Sequence, residues 1–327
     1  MTRPDDSILE PDQLKTVQRY ADHLLREASA LGRFPTPVGD LMAVAKLTVV
    51  DDAVLNESFL RHLMKKARAG VETLKSALGK VLGLFDAGER LVVLDSEIPA
   101  PRVPFIKLHE TGHGTLPHQC RAYKFMHDCE RTLDPEIRDL FEREANVFAS
   151  EVLFQGDVFS VEAHQQTFGI KAPIYLAKKF GASNYSSFRR YVITSAHACC
   201  VVVLDPLTLD IAGNFRANVR RVVASKSFDK LYDCGSLCSS VTRSDPLGPV
   251  VPVAPKRMTS QREIVLIDRN QDERVCIGEA FDTKHQILVL VRDVGPRTKL
   301  GIVIPRSAVR VLSAFPTTCA HSYGRKT

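Results

Sequence analysis

Apolar residues recur along residues 12–31 at Leu14, Val17, Tyr20, Ala21, Leu24, Leu25 and Ala28. That spacing predicts an amphipathic helix, ended by Gly32 and Pro35. A second helix is expected from Asp40 to Lys46, opened by Pro37–Gly39. A third is expected over residues 57–80, with Lys65, Lys66 and Arg68 on its wet face. The period then changes: Val81–Phe85 and Arg90–Leu94 read as short strands around Asp86-Ala87-Gly88, a hairpin in outline. Three prolines make residues 96–104 a loop. Pro104 suits the first turn of the following helix, where its missing N–H costs nothing.

Helical spacing returns at 105–114 and at 135–153, where Ile137, Leu140, Phe141, Ala145, Phe148, Ala149 and Val152 form the apolar stripe. Shorter helical runs cover 162–168, 172–180 and 184–196. Beyond Cys200 the apolar runs Val201–Leu204, Ile264–Ile267, Gln286–Val291 and Leu300–Ile304 predict strands, with a proline-rich loop over 244–261. The fold class expected is α+β. Residues 1–35 form an N-terminal helix, 36–168 a mostly helical core with a small sheet, 169–198 a helical segment and 199–327 a β-rich region.

Composition changes this picture little. The chain of 327 residues has ordinary apolar and charged contents, as a folded globular protein does. No apolar run approaches the roughly 20 residues that span a bilayer, and the N-terminus lacks the layout of a secretory signal. A cytoplasmic protein without a membrane partner is expected. The eight cysteines fall in no short regular framework and read as reduced thiols; Cys234 and Cys238 form a close pair by spacing only. The formal charge is +6, and its positive excess lies in the C-terminal part. Nucleic acid or an acidic partner is one reading of that excess. Scattered solvated charges is another, since no dense basic run or aromatic interleaving occurs.

The candidate chemistry lies in Phe105–Gly114, FIKLHETGHG. His109 and His113, four apart on a helix, project from one face and can grip one ion. Glu110 follows the first histidine and can take a proton from water at the open coordination position. Zinc lowers the pKa of such a water to about 7, so a carboxylate beside it can relay the proton to a leaving amine. A catalytic zinc needs a third protein ligand. The HExxHxxGxxH series would require histidine at 119, which is Gln119. The later helix offers Glu142 and Glu144. Glu142 shares a face with Asn146, which could orient a ligand histidine, whereas Glu144 lies about 200° around the wheel. Glu142 is preferred and Glu144 is the alternative. Zinc is the expected metal, though Mn2+ or Fe2+ also suits two histidines and a carboxylate.

The succession GLFDAGERLVVLD, PFIKLHETGHG and EREANVFASEVLF resembles the ImmA/IrrE family of metallopeptidases over residues 36–195. The resemblance implies a zincin-like core with His109, His113 and the family's glutamate as ligands; aligning on Asn146 and the Phe-Ala pair places that glutamate at Glu142. It further implies a zinc-dependent endopeptidase whose substrate is a helix-turn-helix transcriptional repressor, and, as in longer IrrE-like members, a GAF-like C-terminal sensor or docking domain. No motif in 200–327 matches a GAF domain. Residues 174–191 resemble a helix-turn-helix, with Asn184, Tyr185 and Ser186 at the start of the second helix. A helical hairpin that supports the peptidase fold is the preferred reading. A DNA- or partner-binding regulator with a structural or vestigial metal site is the alternative, and a fourth ligand from His118, His127 or Cys120 would favour it.

Overall fold

The computed structural model describes residues 8–51, 83–86, 90–94, 98–129, 134–209, 214–234, 239–253 and 257–297. The helix expected over 57–80, residues 87 and 88 of the expected turn and the strand at Leu300–Ile304 lie outside them. The fold is α+β, with helices and a three-stranded sheet in the first part and a larger antiparallel sheet in the second.

Helix α1, Pro11–Glu27, buries Val17, Ala21, Leu24 and Leu25. It ends earlier than its apolar spacing predicts. Ser29 turns left-handed at φ 47°, and the Ala30 N–H donates to the Leu25 carbonyl at 2.8 Å, which drops Ala30 into the core. The following loop is held by buried Gln155. Its side-chain oxygen accepts from the Gly32 N–H at 2.7 Å, and its amide donates to the Arg33 carbonyl at 2.8 Å. Helix α2 is Val38–Val44.

In the small sheet, β1 (Thr48–Asp51) and β2 (Gly83–Asp86) flank β3 (Leu91–Leu94), parallel and antiparallel respectively. The two expected strands pair, and β1 is added to them. Val92 and Leu94 pack with Met42, Leu47, Ile98 and Ile106 against the helices. Arg90, just before β3, donates to the carbonyls of Ala45, Lys46 and Gly114. One guanidinium thus serves the C-terminal ends of α2 and of α3 (Val103–Thr115), where carbonyls lack partners and cations are favoured.

Helix α4, Pro117–Cys129, was not foreseen from the apolar spacing; Pro117 opens it. Helix α5, Pro135–Leu153, spans the range its stripe predicts and is capped by Asp134, whose carboxylate accepts from the Glu136 N–H at 2.9 Å. Helices α6 (Val158–His164), α7 (Lys171–Phe180) and α8 (Asn184–Ile193) follow. Gly181, at φ 71°, ends α7, and Ser183 caps α8.

Strands β4 (Cys199–Leu204), β5 (Thr208–Leu209), β6 (Phe215–Ala224), β7 (Ser240–Thr242), β8 (Arg262–Ile267), β9 (Glu273–Asp282) and β10 (Ile287–Pro296) form an antiparallel sheet in the order β5-β6-β4-β10-β9-β8, with β7 on β6. Helix α9 is Lys226–Leu231. All six residues of β4 are buried. Successive side chains point to opposite faces. Cys199, Val201 and Val203 accordingly join Leu288 and Leu290 in the helical core, whereas Cys200, Val202 and Leu204 join Phe228, Tyr232 and Val289 in a second core. One face of the sheet is therefore a wall of the helical layer.

Helix α8 packs on β4 and β6. Ser187 and Phe188 are buried, the Tyr185 hydroxyl accepts from Arg221 at 3.0 Å, and Asn184 and Ser186 are only partly exposed. A helix entering a DNA groove must present these first residues freely. The α7–α8 pair forms a helical hairpin whose second helix packs on the sheet.

Candidate metal centre

Helices α3 and α5 cross closely because small residues meet at the contact. A Cβ on Gly112 would lie 3.3 Å from the Ala145 Cα and 3.2 Å from Phe148 Cδ1, so a larger residue would push the helices apart. Ala145 and Ala149 are fully buried. This approach brings Glu142 to the two histidines.

His109 Nε2 lies 3.2 Å from a Glu142 carboxylate oxygen, and His113 Nε2 lies 3.7 Å from the other. The two Nε2 atoms are 3.2 Å apart. Among the described residues these three form the one group whose donor atoms, all within 4.8 Å of one another, could hold a metal ion. Their partners on the far side of each ring fit that use. His109 Nδ1 donates to the Asn146 side-chain oxygen at 3.1 Å, and His113 Nδ1 donates to the Gln119 side-chain oxygen at 2.7 Å. With both Nδ1 atoms protonated, both Nε2 atoms present lone pairs to the shared centre beside a carboxylate. Such a donor set suits a divalent cation.

The electrostatics differs between the two rings: without a metal, His109 favours the charged form and His113 the neutral one. For His109, burial opposes charge, but the hydrogen bond to Glu142 and the charges of Glu110 and Glu142 outweigh it and raise the pKa. For His113, burial and then the neighbouring His109 push the pKa down, which favours the neutral ring. Burial raises Glu110 to about 7; His109 pulls it down and Glu142 pushes it up. Glu142 moves down: burial opposes the shift, and the bond to His109 and the charge of His113 overcome it. A buried carboxylate titrating near neutrality has the property a general base needs.

Glu144 takes no part in the convergence. Its buried carboxylate accepts from Gln119 and from His118 Nε2, each at 2.6 Å. Cys120 Sγ lies 3.9 Å from the Arg90 guanidinium, on neither histidine. The His127 side chain lies outside the description. Two participants were not visible as such in the sequence. Gln119 drew notice only for not being histidine. Tyr123 packs edge-on to His113 with ring centroids 5.4 Å apart, and burial, then the charges of Glu142 and Glu110, raise its pKa. Both stand on α4, the helix that apolar spacing did not reveal.

Comparison with known proteins agrees with the motif. No curated protein matches the chain in sequence. Among solved structures, a Mycobacterium tuberculosis transcriptional regulator matches 86% of this chain and 78% of its own at 14% identity, with a TM-score of 0.48. Residues 67–185 match the family model described as the IrrE N-terminal-like domain, a peptidase family. That span includes His109, Glu110, His113, Glu142 and Asn146, so the candidate metal centre lies wholly within the part of the chain that is similar to an IrrE N-terminal-like domain.

Proposed function

We propose that the protein is a zinc-dependent endopeptidase in which His109, His113 and Glu142 hold the metal and Glu110 is the general base. The observation that carries this reading is the convergence of the three donors, with both imidazoles turned Nε2-inward by side-chain amides. The metal would supply Lewis acidity to the attacking water and the scissile carbonyl. Glu110 would accept the water's proton and hand it to the leaving nitrogen, and Asn146 would keep the His109 ring aligned. Manganese or iron is accommodated by the same donors.

The substrate we infer is a regulatory protein, a helix-turn-helix repressor, which rests on the resemblance to ImmA/IrrE peptidases. The β-rich region would serve as sensor or docking surface for it. The alternative, a DNA- or partner-binding regulator with a structural or vestigial metal site, is the second reading: the first residues of α8 are partly covered, and His118 and Cys120 are engaged away from the two histidines.

The test combines zinc-loaded protein, a candidate repressor and the Glu110→Gln variant. Cleavage should require zinc, stop on chelation, and nearly vanish in the variant while zinc binding persists. Undiminished cleavage by Glu110→Gln would overturn the mechanism.

A further inference from the structure

We propose that Gln119 and Glu144 are a positioning pair that holds His113 as the Nδ1–H tautomer, with Nε2 turned toward His109 and Glu142. The claim deepens the metal reading above and can be tested apart from it.

Gln119 is fully buried, with 0% exposure. Its amide nitrogen donates to the Phe141 carbonyl at 3.2 Å and to the Glu144 carboxylate at 2.6 Å. Flipping the amide would set its oxygen against a carbonyl and a carboxylate at once, with no donor between them. The amide therefore has one allowed orientation, and its oxygen must face His113 Nδ1, 2.7 Å away. An acceptor there requires the ring proton at Nδ1 and leaves the lone pair on Nε2. On its outer side Glu144 is engaged by His118, whose side chain is 43% exposed, against 7% for Glu144 itself.

The chain His118–Glu144–Gln119–His113 thus runs from the surface to the metal side of the ring. A carboxylate behind the amide polarises it, which strengthens its oxygen as an acceptor and makes the imidazole a better ligand. His109 differs: its partner Asn146 is an amide at 3.1 Å, only partly buried. Two glutamates two residues apart thus take different parts. Glu142 faces the histidines, and Glu144 is taken up in orienting one of them from behind.

The experiment uses the full chain and the variants Gln119→Leu and Glu144→Gln, with two readouts. Long-range proton–nitrogen spectra of metal-free protein at pH 8 report the His113 tautomer, and competition with a chromophoric chelator reports zinc affinity. Wild type should show His113 protonated at Nδ1. Gln119→Leu should mix the tautomers and weaken zinc binding by about 10–100-fold. Glu144→Gln, which keeps an acceptor for Gln119, should retain the tautomer with a smaller loss of affinity. A wild-type His113 protonated at Nε2 overturns the proposal without any variant. So does a folded Gln119→Leu with unchanged tautomer and affinity within twofold of wild type. Should wild type bind no zinc, the metal reading fails, and the tautomer still decides the role of Gln119.

Discussion

Two buried polar clusters in this molecule have opposite electrical designs. In the C-terminal sheet, Arg274 meets Asp293 through two bonds of 2.8 Å, and the Tyr232 hydroxyl donates to the same carboxylate at 2.7 Å. Cation and anion are matched within the protein, and Asp293 stays below the usual carboxylate range: burial opposes that shift, and the bonds to Arg274 and Tyr232 overcome it. At the α3–α5 crossing, Glu110 and Glu142 stand with two imidazoles whose lone pairs converge, and Arg138 acts on Glu142 from the exposed face of α5. The first cluster is closed and holds strands together. The second gathers two carboxylates and two imidazoles around one point without a buried Arg or Lys among the described residues in contact with them, the donor set that could hold a metal ion.

Four measurements bear on this contrast. The largest effect is expected at the open cluster: Glu110→Gln should lower the rate of substrate cleavage by about 10²–10⁴-fold, typical of a lost general base, with little change in melting temperature. An equally large drop in stability would mean that Glu110 holds the fold together, as Asp293 does.

At the closed cluster, Asp293→Ala should cost at most about 3–5 kcal/mol in denaturant unfolding, because the mostly buried Arg274 is left with only the more distant Asp268 carboxylate at 3.9 Å. The sign of its pH dependence follows from the depressed pKa. Asp293 contributes fully above its unfolded value of about 3.9, and the contribution fades as pH falls toward the lower folded value. The gap between wild type and variant should therefore narrow below about pH 4. A gap that widened in acid would reverse the assignment.

Zinc at a hundred times its dissociation constant should stabilise wild type by about 2.7 kcal/mol, read as a rise in melting temperature. His113→Ala should abolish that rise, and Asp293→Ala should keep it. Loss of the zinc response in both would show that the two clusters are not independent. The smallest effect is expected for Tyr232→Phe, about 1 kcal/mol, since Asp293 keeps Arg274 when one hydroxyl donor is removed.

Much of this was readable before any coordinates. The four-residue spacing of His109 and His113 places both rings on one helical face whatever surrounds them, since that geometry is local. The same holds for the stripe that defines α5 and for the face shared by Glu142 and Asn146. Local spacing could not reveal the part Gln119 plays, which depends on Phe141 and Glu144 of a distant helix. Strand β6 lies outside the predicted strands, although its buried and exposed residues alternate from Phe215 to Arg220 in the period of a half-buried strand.

What only the tertiary structure decided is which distant groups meet. The sequence determined that two imidazoles and a nearby carboxylate share a short helix, because a helix sets its own angles. That Glu142 reaches those rings while Glu144 turns to Gln119 depends on how closely α3 and α5 approach, and Gly112 against Ala145 sets that distance. The sequence likewise predicted strands after residue 199, but not that alternate residues of β4 would be divided between two cores. Period and capping act over a few residues; partner choice across a core depends on packing that no local window contains.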